Sequence, residues 1–192
     1  MTEQIELEIV TPRGRALRAT VDEVTAPSVG GEFGVLAGHV PLLAALRAGI
    51  VTYRQGGDSK RCAVGAGFVE VGQDRVVILT DEYVEPEQID PVMVRKELGD
   101  VTSEVHAMDG VAFATAGAGG ADAQAQRARV AREQLIAREN WLATKLELHG
   151  DPPPATTLVE YAAPPPHGDE ESDPQDSGSA TPRGIGAGPG SV

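Results

Sequence analysis

Between Ile5 and Thr80 the chain repeats one pattern, a short apolar run followed by a cluster of turn-forming residues. Runs this brief suit strands, and their rhythm restricts the fold more than any other feature. Ile5, Leu7 and Ile9 alternate with Glu6 and Glu8, the period of a strand with one buried face. Thr11-Pro12 and Arg13-Gly14 break that run. Further apolar segments follow at Ile50–Tyr53, Arg61–Val64, Phe68–Val71 and Val76–Leu79. Between them lie Gln55-Gly56-Gly57-Asp58-Ser59 and Gly72-Gln73-Asp74, whose glycines and Asx side chains suit hairpin turns. Aromatic residues make up 4% of the chain, so its core must come from Val, Ile, Leu and Ala. The pattern predicts an antiparallel β-sandwich over residues 1–86, with helical period only in the short run after Pro41.

The character changes over residues 87–149. Asp90 before Pro91 is a helix start, a capping carboxylate followed by a residue that needs no backbone donor. Val94, Leu98, Val101, Val105 and Met108 then recur in steps of four and three, which makes one apolar stripe. Gly99 falls off that stripe and weakens the helix by about 1 kcal/mol relative to Ala. A loop is expected from Gly110 to Gly117-Ala118-Gly119-Gly120. A second helix is expected from about Ala121 to Leu148, with Ala128, Ala131, Leu135, Leu142 and Leu146 as its seam. Two stripes joined by a loop imply an antiparallel helical hairpin.

Residues 150–192 hold Pro152-Pro153-Pro154, Pro164-Pro165-Pro166 and the acidic run Asp169-Glu170-Glu171. So little apolar surface cannot offset chain entropy, and this tail is expected to be disordered. The formal net charge of -13 owes much to it.

Several function classes are disfavoured. A nucleic-acid binder needs a basic face, and no run of Lys and Arg supplies one. The start MTEQIELEIV lacks a basic segment and a long apolar run, so no signal peptide is expected. No stretch approaches the roughly 20 apolar residues of a membrane-spanning helix. The lone Cys62 sits in an apolar strand, as a core residue would. His39, His106, His149 and His167 are scattered without metal-ligand spacing. Gly65-Ala66-Gly67 is followed by a strand, which excludes a dinucleotide-binding turn. No acid, base and nucleophile are grouped, so the chain is expected to be no enzyme and to hold no metal or cofactor.

One stretch is more telling as a string than as physics. Gly31-Glu32-Phe33-Gly34-Val35-Leu36-Ala37-Gly38-His39-Val40-Pro41-Leu42-Leu43 reads physically as a rigid loop, turn and strand exposing a few polar side chains. It resembles the signature of the F-type ATP synthase epsilon subunit, with Ala37 in place of the family's usual proline. Val10-Thr11-Pro12 and Val21-Asp22-Glu23-Val24 are similar to that family's opening strands. Val64-Gly65-Ala66-Gly67-Phe68-Val69-Glu70-Val71, Val77-Ile78-Leu79-Thr80-Asp81 and Glu87-Gln88-Ile89-Asp90 are similar to later elements. The likeness runs from about Ile5 to Asp90, covers the helices by architecture only, and stops before the tail.

The resemblance implies a sandwich followed by a helical hairpin, in a non-catalytic subunit of the central stalk. It implies the gamma subunit, the c-ring and the alpha and beta subunits as partners. It implies a peripheral place at the cytoplasmic face of the inner membrane of a proton-translocating synthase. By the same resemblance, Glu32, Phe33, Gly34, Gly38 and His39 face gamma and the c-ring, Glu32 meeting a basic loop side chain while His39 hydrogen-bonds nearby. Arg127, Arg129, Arg132, Arg138 and Lys145 would reach acidic segments of the catalytic subunits in an extended state and oppose hydrolysis. The alternative for those arginines is a solvated helix face. Some members bind ATP through Ile-Asp-x-x-Arg-Ala; here Met93 replaces the arginine, so ATP binding is not expected. The rival from another class is a non-enzymatic adaptor or ligand-binding β-sandwich, because a fold alone does not fix function.

Overall fold

The computed structural model describes residues 4–114 and 122–153, with side chains described over 4–108 and 125–153. Ten strands come first: β1 (Ile5–Thr11), β2 (Gly14–Val21), β3 (Glu23–Ser28), β4 (Gly31–Leu36), β5 (Leu42–Leu46), β6 (Gly49–Gln55), β7 (Asp58–Val64), β8 (Gly67–Val71), β9 (Arg75–Thr80) and β10 (Tyr83–Val84). A 3-10 turn at Pro86–Gln88 leads to α1 (Pro91–Ala114) and α2 (Asp122–His149). The tail expected to be disordered, beyond Pro153, and the glycines at 117–120 lie outside the described residues.

The alternation in β1 does what its period requires. Ile5, Leu7 and Ile9 are fully buried, in one cluster with Val21, Val24, Val35, Val51, Val69, Val76 and Ile78. Each such side chain contributes roughly 1.5–3 kcal/mol relative to leaving it exposed. The strands run in the order β10-β7-β6-β3-β5-β8-β9-β1-β2, with β4 on β3, and fold into a sandwich. All described pairs are antiparallel except one: β1 runs parallel to β9, with Leu7 opposite Val76 and Ile9 opposite Ile78. The purely antiparallel expectation fails there because β1 enters between β2 and β9.

Two segments read otherwise from sequence are strands. The run after Pro41 has helical spacing but forms β5, whose backbone pairs with β8 from Leu42–Val71 to Leu46–Gly67. Gly31–Leu36, expected as a loop, is β4, the second arm of a two-residue hairpin with β3. Tertiary pairing overrides local propensity in both.

The helical pair packs on the sandwich. Asp90 caps α1 as expected, accepting from the backbone N–H of Val92 at 3.0 Å and of Met93 at 3.2 Å. Val94, Leu98 and Val105 are buried, while Val101 is half-buried. With Trp141, Leu142, Leu146 and Leu148 of α2, and Ala63 of β7, Val94 and Leu98 form a second core. Gly110 does not end α1, which continues to Ala114. Ala128 is exposed, contrary to its place in the expected seam, whereas Trp141 and Glu139 are buried. The heptad spacing missed this because the C-terminal half of α2 faces two neighbours, α1 and the sandwich.

Candidate functional site

The β3–β4 hairpin is built around Ser28. Its hydroxyl donates to the Gly31 carbonyl at 2.7 Å and accepts from the Gly30 N–H at 3.1 Å. Glu32 follows, exposed and opposite Pro27. Phe33 is half-buried against the core, and Gly34 is exposed with nothing near its missing Cβ. Beyond β4 the chain turns at Gly38, whose φ of +78° favours glycine. Gly38 N–H donates to the Gln73 carbonyl at 2.8 Å, and His39 N–H to the Leu36 carbonyl at 3.1 Å. The His39 ring nitrogen Nδ1 lies 2.6 Å from the Val40 carbonyl oxygen, so its one described polar contact is within its own turn.

These residues fall into two places. Glu32, Phe33 and Gly34 belong to the half of β4 nearest the Val29-Gly30 turn, which lies beside the end of β5 through Val29 N–H to Ala45 O at 3.1 Å. Gly38 and His39 lie past the other end, beside the Gly72-Gln73-Asp74 turn. Four strand steps, about 13 Å, separate Glu32 from Leu36. The structure does not bring Glu32 and His39 together.

An apolar surface missed in the sequence stands on the outer side of the same sheet. Ala45 lies opposite Phe68, Phe68 opposite Leu79, and Leu79 opposite Val10, a row across four strands. Phe68 is 57% exposed and Leu79 51%. Leu43, 72% exposed, stands beside the row opposite Glu70. Leu36 and Val40 are also exposed. Phe68 alternates with buried Val69, and Leu79 with buried Ile78, so strict alternation was a signal that could have found them.

The arginines of α2 are not equivalent. Arg127 and Arg129 are exposed, Arg132 is half-buried with an interaction of its own, and Arg138 pairs with Glu97 of α1. Nearby, Lys145 lies 5.8 Å from the Trp141 ring centroid. Burial pushes the Lys145 pKa down; Glu97 and Glu82 oppose that, and Arg138 adds to it. Met93 is exposed, and Arg95 pairs with Asp151.

A cleft of about 350 Å³ separates α2 from the sandwich turns and is lined by both signs of charge, Arg47 and Arg138 with Asp81, Glu82 and Glu147. Gly65 lines it, and neither Gly65 nor the nearby Gly67 has room for a side chain. A Cβ on Gly67 would lie 1.9 Å from the Leu79 carbonyl oxygen, and one on Gly65 would lie 2.3 Å from Asp81 Oδ1. Cys62 is fully buried, and burial pushes its thiol up to about 12, far from a nucleophile's range. Among the described residues no three His, Cys, Asp or Glu side chains gather as metal ligands, and no helix is long and apolar enough to cross a membrane. The arrangement offers surfaces for binding.

Residues 4–86 match the family described as ATP synthase, Delta/Epsilon chain, beta-sandwich domain. The chain is 42% identical over 99 residues to ATP synthase epsilon chain 2 of Syntrophotalea carbinolica, covering 52% of this chain and 72% of that one. It is 46% identical over 92 residues to the ATP synthase epsilon chain of Magnetococcus marinus, covering 48% and 67%. Among solved structures, a chain of the Euglena gracilis mitochondrial ATP synthase shares the fold, with TM-score 0.56 and 24% identity over 75% of this chain and 82% of that one. Sandwich, helices and sequence agree, and the chain belongs to the ATP synthase epsilon chain family.

Proposed function

We propose that the chain is a non-catalytic central-stalk subunit of a proton-translocating ATP synthase, held peripherally at the cytoplasmic face of the inner membrane. Its sandwich docks on the gamma subunit and the c-ring, beneath the alpha and beta subunits, and so couples rotor to catalytic sector. The observation that carries this reading is the outer apolar row of Ala45, Phe68, Leu79 and Val10 with Leu43 beside it. Contiguous exposed apolar surface marks a place where another macromolecule sits. Glu32, Phe33 and Gly34 make one contact region and Gly38 with His39 a second, because they lie toward opposite ends of β4.

The helical pair opposes ATP hydrolysis through Arg127, Arg129, Arg132 and Arg138. Support comes from the exposure of Arg127 and Arg129 on a helix of a chain whose net charge is -13. Exposed cations on a helix of an acidic protein favour a carboxylate-rich partner.

Co-purification tests the docking reading. Tagged intact chain should recover gamma, alpha, beta and the c-ring, and Phe68→Glu should abolish recovery of gamma while leaving the chain folded. Glu32→Gln should lower recovery of the c-ring; unchanged recovery removes that contact. A free monomer that recovers none of these subunits would sink the assignment to the stalk.

A further inference from the structure

The cleft beside α2 does not end at the sandwich turns. A second, shallow trough of about 530 Å³ is lined by Val10, Pro12, Gly67 and Leu79, of which Val10 and Leu79 belong to the outer apolar row. Ala66 and Asp81 line both hollows. One groove therefore runs from the apolar row, around the turns that hold Ala66 and Asp81, to the side of α2.

The bend in this groove is stiff. The Thr80 hydroxyl, 5% exposed, lies 3.2 Å from the Ala66 carbonyl oxygen and 3.0 Å from that of Glu82. The Asp81 N–H donates to the Ala66 carbonyl at 3.5 Å, and Gly65 leaves the Asp81 carboxylate its place, since any side chain there would meet it. A preformed groove loses little freedom when it is filled.

Its two ends differ in chemistry. The trough is walled by apolar side chains, whereas the cleft holds the carboxylates of Asp81, Glu82 and Glu147. Among the described residues these three form no side-chain hydrogen bond or ion pair. Against them stand Arg47 and Arg138, and Arg138 is committed to Glu97. Lys145 feels Glu82, but its ammonium lies over Trp141. Glu147 sits in the last turn of α2, where the helix carbonyls also favour a cation.

We propose that the macromolecule seated on the apolar row continues along this groove as one extended segment, with an apolar side chain in the trough and a basic one in the cleft beside Asp81 and Glu147. This rests on the docking reading of the row given above, and it adds α2, packed as it stands, to the surface that the partner covers. The order of side chains sets the direction of the segment. Reversed, it would press a charge on Leu79 and leave the carboxylates facing apolar groups.

Binding of the intact chain to a catalytic complex of alpha, beta and gamma subunits that lacks it tests the groove. Glu147→Lys should weaken binding about tenfold or more at low salt and Glu147→Gln about two- to fivefold, both losses shrinking at high salt. Lysine suits the last turn of a helix, so Glu147→Lys keeps its fold, which melting followed by Trp141 fluorescence checks. Phe68→Glu, which reads the row, should abolish binding. If it does so while both Glu147 variants bind as the natural chain does, the row docks the partner and the groove is overturned. If Phe68→Glu binds normally, the row fails and the groove with it. Self-association of the intact chain that Glu147→Lys abolishes would put a second copy in the cleft, and likewise overturns a partner segment there.

Discussion

The Arg61 guanidinium on β7 lies 3.4 Å from the backbone carbonyl oxygen of Leu148, joining the last turn of α2 to the sandwich across 87 residues of chain. The end of a helix carries unsatisfied carbonyls and partial negative charge, so a cation is well placed there. Arg61→Ala should weaken docking of this turn by about 0.5–1.5 kcal/mol. The sole tryptophan of the chain, Trp141, is buried in the same contact and reports it directly. An unchanged melting curve by Trp141 fluorescence would show that the contact contributes nothing.

Gly67 should tolerate no side chain. A Cβ there would lie 1.9 Å from the Leu79 carbonyl oxygen and 3.0 Å from the Thr80 Cα, both backbone atoms that cannot swing aside. Gly67→Ala is expected to destabilise the sandwich by about 3 kcal/mol, at the upper end of overpacking costs. Gly34→Ala is the control, because nothing lies within 4 Å of its Cβ position. Equal denaturant midpoints for the two variants would contradict the steric account.

Alkaline pH should weaken the fold. Burial, then Glu85, pushes the Cys62 thiol from 9.0 up to about 12. Tyr53 is raised from 10.0, by burial first; Tyr83 is raised by burial and then by its hydrogen bond to Glu85. Above pH 9.0 the unfolded thiol sheds a proton that the native thiol keeps. The native state then binds more protons, so stability falls as pH rises. For Cys62 the loss is about 1.4 kcal/mol per pH unit until its native pKa is passed. Lys145, lowered from 10.5, acts in the opposite sense, since its unfolded form holds the proton longer and stability rises with pH below 10.5. Above pH 10.5 the unfolded lysine has lost its proton too, and the raised thiol and phenols act without that opposition. Cys62→Ala should flatten the decline above pH 9.0 seen by denaturant titration; an unaltered slope would rule Cys62 out as a cause.

Removing the two exposed arginines together, Arg127→Ala with Arg129→Ala, should relieve inhibition of hydrolysis by the assembled complex several-fold without lowering chain stability by more than about 0.5 kcal/mol. Both side chains are exposed. An unchanged hydrolysis rate beside normal assembly would count against a braking role for these arginines.

How much was legible follows from which residues have local causes. The alternation of Ile5, Leu7 and Ile9 and the capping by Asp90 depend on near neighbours, and both were readable. The parallel partner of β1 and the strand after Pro41 depend on residues far along the chain, so local period could not reveal them. Glu32 and His39 seemed one surface because β4 was read as a loop; as a strand it holds them apart. Arg138 looked like its fellow arginines until α1 supplied Glu97. That a strand follows Gly65-Ala66-Gly67 was readable, but the carbonyl that requires Gly67 lies on another strand.

The parallel pairing of β1 with β9 also sets an order of events in synthesis. Glu6 takes its place beside Arg75, so β1 waits for almost the last strand of the sandwich. Until then its far edge lies open, although β2 can already cover the near one through pairs such as Glu6 with Thr20. Contacts this distant along the chain are slow to form. The Glu6 and Glu8 side chains that alternate with the apolar ones put charge along that waiting edge, the device by which strands resist pairing with a neighbouring ribosome's product.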